Sequence, residues 1–246
     1  MTDSSFWTHP PETAVRSSHS DEYTITVLDP PLPESTSELP AHDRARARAF
    51  AEAFPTVDAV LEELPPMPAS EGLYAERLSD LDLITVGCWG NVTCISDPAL
   101  AAHDAGMTPV LAGAAALHER YPTALIVGSA APDFGETHTE DVIRLPDGPT
   151  LFAAGFPAYE TPWYVEGDPH TILKALGIDL AELTDEDREY LYLDEKPHRT
   201  NWGMLGGLVL ERSGRRLRSG LEKSVFRVRH TDMYTSLMEE MWRWTH

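Results

Sequence analysis

The residues of this chain best suited to chemistry crowd into one short run. Asp133, Glu136, His138, Glu140 and Asp141 fall together in D-F-G-E-T-H-T-E-D. Converging carboxylate oxygens suit a hard cation. A carboxylate beside a histidine suits acid–base work, because imidazole titrates near neutrality. A metal held by Asp133, Glu136 and His138 is the form that a metal-dependent enzyme or small-molecule binder takes here, with His118 and His170 as distant helpers. The run also joins two strands, and acidic hairpin tips are ordinary solvated surface, so both readings stand.

A second group lies near the C-terminus. Between Arg212 and Arg229 stand seven of the 19 basic residues (Arg212, Arg215, Arg216, Arg218, Lys223, Arg227 and Arg229) against one acid, Glu222. Arg215, Arg216, Arg218, Arg227 and Arg229 form a candidate binding patch for a phosphate or an acidic surface, since guanidinium forks match both. Arg227 and Arg229 alternate with Phe226 and Val228, which puts both on one face of a strand. The other reading is pairing with the chain's own acids. Trp242 and Trp244 stand two apart on a helical stretch and cannot share one core line. Trp242 is therefore included as a candidate partner contact.

Other motifs fall short of known chemistry. Cys88 and Cys94 lack the tight C-x2-C spacing of a zinc knuckle. A two-residue turn at Gly90-Asn91 puts the thiols on opposite faces, whereas a five-residue loop sets them opposite one another. Gly128-Ser129-Ala130 follows an apolar strand but lacks the G-x-S-x-G of a nucleophile elbow. The segment 202–207 is no dinucleotide fingerprint, and no P-loop or H-E-x-x-H is present, so no cofactor is evident.

The elements that must position these residues follow from periodicity. Tyr23–Leu28, Asp82–Val86, Val92–Ile95, Ala124–Ser129, Asp141–Leu145, Thr150–Phe156, Trp163–Val165, Leu205–Glu211 and Ser224–His230 read as strands. Helices are expected over 42–54, 56–64, 109–121, 169–176 and from Asp232 onward. At Thr56–Leu64 the helical sign is the stripe Val57, Val60, Leu61, Leu64. Thr108 is the expected cap of the helix that Pro109 opens, and Thr184 begins a capping-box pattern. This order departs from strict βαβ alternation. It predicts an α+β fold with a mostly antiparallel sheet packed by several helices. Residues 1–22 are expected to be a mobile N-terminal segment from which Phe6 and Trp7 can dock onto the body, and 23–246 a single domain, with a possible sub-boundary at 65–79.

Composition bounds the partners. The 246 residues carry 40 acidic and 19 basic side chains, a net charge of −21. That field repels phosphate backbones and anionic membranes, favours a basic protein partner and aids solubility. No apolar run is long enough for a membrane helix. Two cysteines and the absence of a secretory pattern make the cytoplasm the expected location.

Three segments also carry a resemblance: Phe6-Trp7-Thr8-His9-Pro10-Pro11, Asp80–Gly90 and Ile95-Ser96-Asp97-Pro98-Ala99-Leu100. With Leu117–Pro122 and Val225–Arg229, they resemble an uncharacterised family of bacterial, actinobacterial-type proteins. The resemblance implies one coherent unit over most of the chain and brings no catalytic residue with it. The reading as a whole is an acidic protein-interaction or inhibitor/immunity-type protein. The alternatives are an enzyme or small-molecule binder at 133–141, and a phosphate or nucleic-acid contact at 212–229.

Overall fold

A computed structural model describes residues 6–16, 23–30, 39–103, 107–146, 148–160, 162–184, 191–193, 196–213 and 220–243. Among them the fold is α+β, built on one nine-stranded sheet. The strands are β1 (Tyr23–Leu28), β2 (Val57–Pro68), β3 (Leu83–Trp89), β4 (Val92–Ser96), β5 (Leu125–Ala130), β6 (Thr139–Arg144), β7 (Thr150–Gly155), β8 (Trp163–Glu166) and β9 (Glu222–His230). Their order is β2-β9-β3-β4-β1-β5-β6-β7-β8, and every adjacent pair is antiparallel.

Alternation along the strands makes two cores. Ile25, Val86, Ile95, Val142 and Phe226 face one way, against α1 (Arg44–Glu52), α2 (Pro109–Arg120) and α5 (Asp232–Trp242). Leu28, Val127, Ile143 and Leu151 face the other way, against α3 (Pro169–Ala175) and α4 (Trp202–Arg212). Phe6 and Val15 are buried in the first core, and the Trp7 indole donates to the Thr235 carbonyl at 3.2 Å. The N-terminal stretch is therefore docked over residues 6–16.

Several expectations need correction. The segment from Thr56 is an edge strand and not a helix, and it runs through Pro65 and Pro66. Three register irregularities against β9 break its period-2 alternation, which leaves apolar residues at helix-like spacing. Edge strands tolerate proline because one side needs no ladder N–H. Residues 65–68, at the start of the expected sub-boundary, thus belong to the sheet. Leu205–Glu211 is helix and not strand: the Asn201 side chain caps it by accepting from Met204 N at 3.0 Å. Trp202, Leu205 and Val209 then recur at helical spacing against the core. Thr108 makes no side-chain capping bond to α2. The capping-box pattern after Thr184 runs outside the described residues.

Candidate functional site

One row of the sheet is polar where a core is expected. Thr85 on β3 opposes Ser96 on β4, Ser96 opposes Thr24 on β1, Thr24 opposes Ser129 on β5, and Ser129 opposes Asp141 on β6. Directly opposed residues share a face. Four hydroxyls and a carboxylate therefore run in line across five central strands, over roughly 19 Å at the usual strand spacing. The row is deeply set, with Thr85 1%, Ser96 6% and Asp141 7% exposed. On the opposite face, the same strands carry Tyr23, Ile25, Ile84, Val86 and Ile95.

Three cavities follow this row. The central one, about 540 Å³, lies between Thr24, Thr26, Val127 and Ser129 on the sheet and Gly203, Gly206, Gly207 and Leu210 on α4. Ser129, Asn201 and Gly203 are shared with a cavity of about 320 Å³ that reaches Thr139, Asp141, Tyr192 and His198. Thr24 is shared with a cavity of about 170 Å³ bounded by the 69–73 segment, Trp89, Cys94, Ser96 and Lys223. Together they form a trough.

Helix α4 is shaped to leave this space. Gly203, Gly206, Gly207 and Leu210 stand at i, i+3, i+4 and i+7, which is one stripe. A methyl group added at Gly207 would meet nothing within 4 Å; at Gly203 it would lie 3.7 Å from both Asp141 Oδ1 and Ser129 Oγ. Each glycine inside a helix costs about 0.5–1 kcal/mol relative to alanine. Gly203 and Gly207 leave room at the expense of helix stability, while Gly206, where a methyl would lie 3.1 Å from Val127 Cγ1, lets the helix approach the sheet closely. Within the trough, Ser129 Oγ donates to Asp141 Oδ1 at 2.7 Å. The hydroxyl oxygens of Ser96 and Thr139 are buried with no hydrogen-bond partner among the described residues.

The residues singled out from the sequence are placed as follows. Asp133 Oδ1 accepts from the Gly135 amide at 2.9 Å, and Glu136 Oε1 accepts from the Tyr159 hydroxyl at 2.5 Å. His138 stacks on His103, with ring centroids 3.6 Å apart. Burial, and then the neighbouring His103, push its pKa down to about 3. Asp133, Glu136 and His138 therefore do not converge, and no group of three ligating side chains exists among the described residues. His118 ends α2 and His170 begins α3, on opposite faces of the sheet, so the two cannot serve one site. Arg227 pairs with Glu62 at 3.8 Å and donates to the Ser79 carbonyl, while Arg229 pairs with Asp58 at 2.6 Å. Arg215, Arg216 and Arg218 lie outside the described residues. Trp242 is fully buried against Tyr23 and Phe134, so its indole is not a surface contact. The Gly90-Asn91 turn has two residues: Trp89 opposes Val92, Cys88 packs in the first core, and Cys94 faces the second.

A second polar cluster sits in the first core. Asp97 Oδ1 accepts from Ala99 N at 2.8 Å and lies 3.0 Å from His230 Nε2, and the Thr56 hydroxyl donates to Oδ2. Burial alone would depress the His230 pKa, but the charge and hydrogen bond of Asp97 outweigh it and hold it above its ordinary value. Glu140 Oε1 accepts from Leu111 N at 2.9 Å, at the start of α2. Burial raises the Glu140 carboxyl to about 8. None of these groups lines the trough; Asp97 ties the 97–101 turn to β9, and Glu140 ties β6 to the start of α2.

With this geometry in place, comparison with known proteins gives one match. A family model described as a family of unknown function, DUF6333, matches residues 6–245. The chain belongs to the DUF6333 family. No curated protein and no solved structure matches it. No described helix of this family member is long and apolar enough to cross a membrane.

The sequence did contain signals for the trough. Thr24 and Thr26 alternate with Tyr23, Ile25 and Val27, and three glycines stand at i, i+3 and i+4 in 203–207. Both patterns gain meaning only when the register and the helix are known.

Proposed function

We propose that this chain binds a small polar organic molecule in the trough between α4 and the polar row of the sheet. The observation that carries this reading is the row itself: Thr85, Ser96, Thr24, Ser129 and Asp141 occupy the centre of a nine-stranded sheet, where apolar packing is the rule. Burying polar groups costs free energy unless they gain partners. The central cavity falls within the volume range of ligand sites, and it mixes an apolar wall with a few polar groups as such sites do. The acidic 133–138 loop is engaged in internal contacts, with Gly135 N on Asp133, the Tyr159 hydroxyl on Glu136 and His138 stacked on His103.

The test is native mass spectrometry of the full chain after exposure to a small-molecule extract. The reading expects a discrete added mass on the wild type that is lost in Gly207→Met, whose side chain would project into the central cavity. The same added mass on both proteins places the ligand elsewhere and defeats the reading.

A second reading, association with a basic protein, is supported by the net charge of −21 and by edge strand β8. Tyr164 is 59% and Val165 36% exposed on a strand paired on one side among the described residues. Stoichiometric capture of a basic protein, abolished by Val165→Pro, would favour it.

A further inference from the structure

We propose that the ligand of the trough is a neutral polyhydroxylated molecule, a saccharide or close analogue; this rests on the trough being the binding site. The polar row supplies the hydroxyls of Thr85, Ser96 and Thr24, which both donate and accept, then Ser129, whose proton goes to Asp141 and whose oxygen is left to accept, and the carboxylate of Asp141. Adjacent members are one strand spacing apart, about 4.8 Å. A ligand that matches them must present several hydroxyl groups along one edge. The Ser96 hydroxyl, on a residue 6% exposed, borders the end cavity and has no partner among the described residues, so it has hydrogen-bonding capacity to give.

The opposite wall suits the rest of such a molecule. There Met204 and Leu210 of α4 line the central cavity, while Val127 and Trp89 add apolar surface on the sheet side, beside the row. The Trp89 indole N–H is engaged with the Glu222 carbonyl at 3.0 Å, which holds the ring in place. Apolar and aromatic surface of this kind covers the C–H faces of a sugar ring, while the hydroxyls meet the row.

Charge selects against phosphorylated forms. A phosphate would enter a chain of net charge −21 and lie along a row that ends in Asp141. Lys223, which borders the smallest cavity, already donates to the Glu71 carbonyl at 2.5 Å.

The experiment is saturation-transfer NMR on the full chain with four probe sets: neutral mono- and disaccharides, the matching sugar phosphates, nucleoside monophosphates and alkylamines. At least one neutral saccharide is expected to bind, with a Kd raised about five- to tenfold in Thr24→Ala, the usual effect of one lost hydrogen bond, and restored in Thr24→Ser. Preferential binding of a phosphate, nucleotide or amine that is lost in Gly207→Met overturns the saccharide assignment and leaves the trough reading intact. No binding from any set also overturns the assignment, while the extract experiment above judges the trough separately. Saccharide binding unchanged in Gly207→Met overturns both.

Discussion

Ser129 and Asp141 oppose one another across β5 and β6, and the Ser129 hydroxyl donates to Asp141 Oδ1 at 2.7 Å. The pair joins the central cavity to its neighbour. It converts two positions that would otherwise pack apolar side chains into a hydrogen-bonding floor.

Breaking that pair should weaken the fold as well as the site. Ser129→Ala removes a charge-assisted donor from a carboxylate 7% exposed, so the unfolding free energy should fall by about 1–2 kcal/mol. Urea denaturation checks this, and Ser129→Thr should recover most of the loss.

The glycine stripe of α4 gives the opposite sign. Gly207→Ala meets no atom within 4 Å and should raise stability by about 0.5–1 kcal/mol through helix propensity. The same methyl group enters the trough, so ligand affinity should fall while the melting temperature rises. A variant that gains stability and keeps full affinity would mean that the glycines serve something other than space.

Stability should fall as pH rises from about 6.5 to 8; at lower pH His138, pushed by burial down to about 3, has the opposite sign and offsets Glu140. Glu140 is raised by burial to about 8, so between its unfolded value and 8 the folded state holds a proton that the unfolded state has lost. Each such group removes about 1.4 kcal/mol per pH unit over its window. His230, held above its ordinary value by Asp97 against the effect of burial, acts in the same direction: its contribution is full below the unfolded pKa and is lost as pH passes the folded one. Glu140→Gln keeps an acceptor for Leu111 N without an ionisable proton. It should flatten the decline, and chemical denaturation across that pH range reads it directly.

The two cysteines should differ in reactivity. Cys94 borders the trough, whereas Cys88 is fully buried and burial pushes its thiol pKa up. A maleimide should modify one thiol per native chain, at Cys94, and two after denaturation. Native labelling of Cys88 would contradict the two-residue turn that puts the thiols on opposite faces.

How much was legible beforehand depended on whether periodicity was intact. β1 and β9 are readable from their alternation, β4 and β5 from short apolar or β-branched runs, and α3 from Asp168, which caps Pro169–Ala175. β2 misled because its bulges mimic a helical stripe, and α4 misled because Leu205–Leu210 is apolar enough to pass for a strand. The site was harder. Asp141 belonged to the acidic run that the sequence singles out, but its partners Ser129 and Thr24 lie on other strands. Only strand order and register bring them into line, and neither is written in any local pattern.

The most direct test of the trough is amide chemical-shift mapping of the full chain with a bound small molecule. The account predicts that the perturbed amides centre on Thr24, Thr26, Ser129, Gly203 and Gly206. Perturbations centred instead on the 133–138 loop or on β8, with those five unmoved, would contradict it.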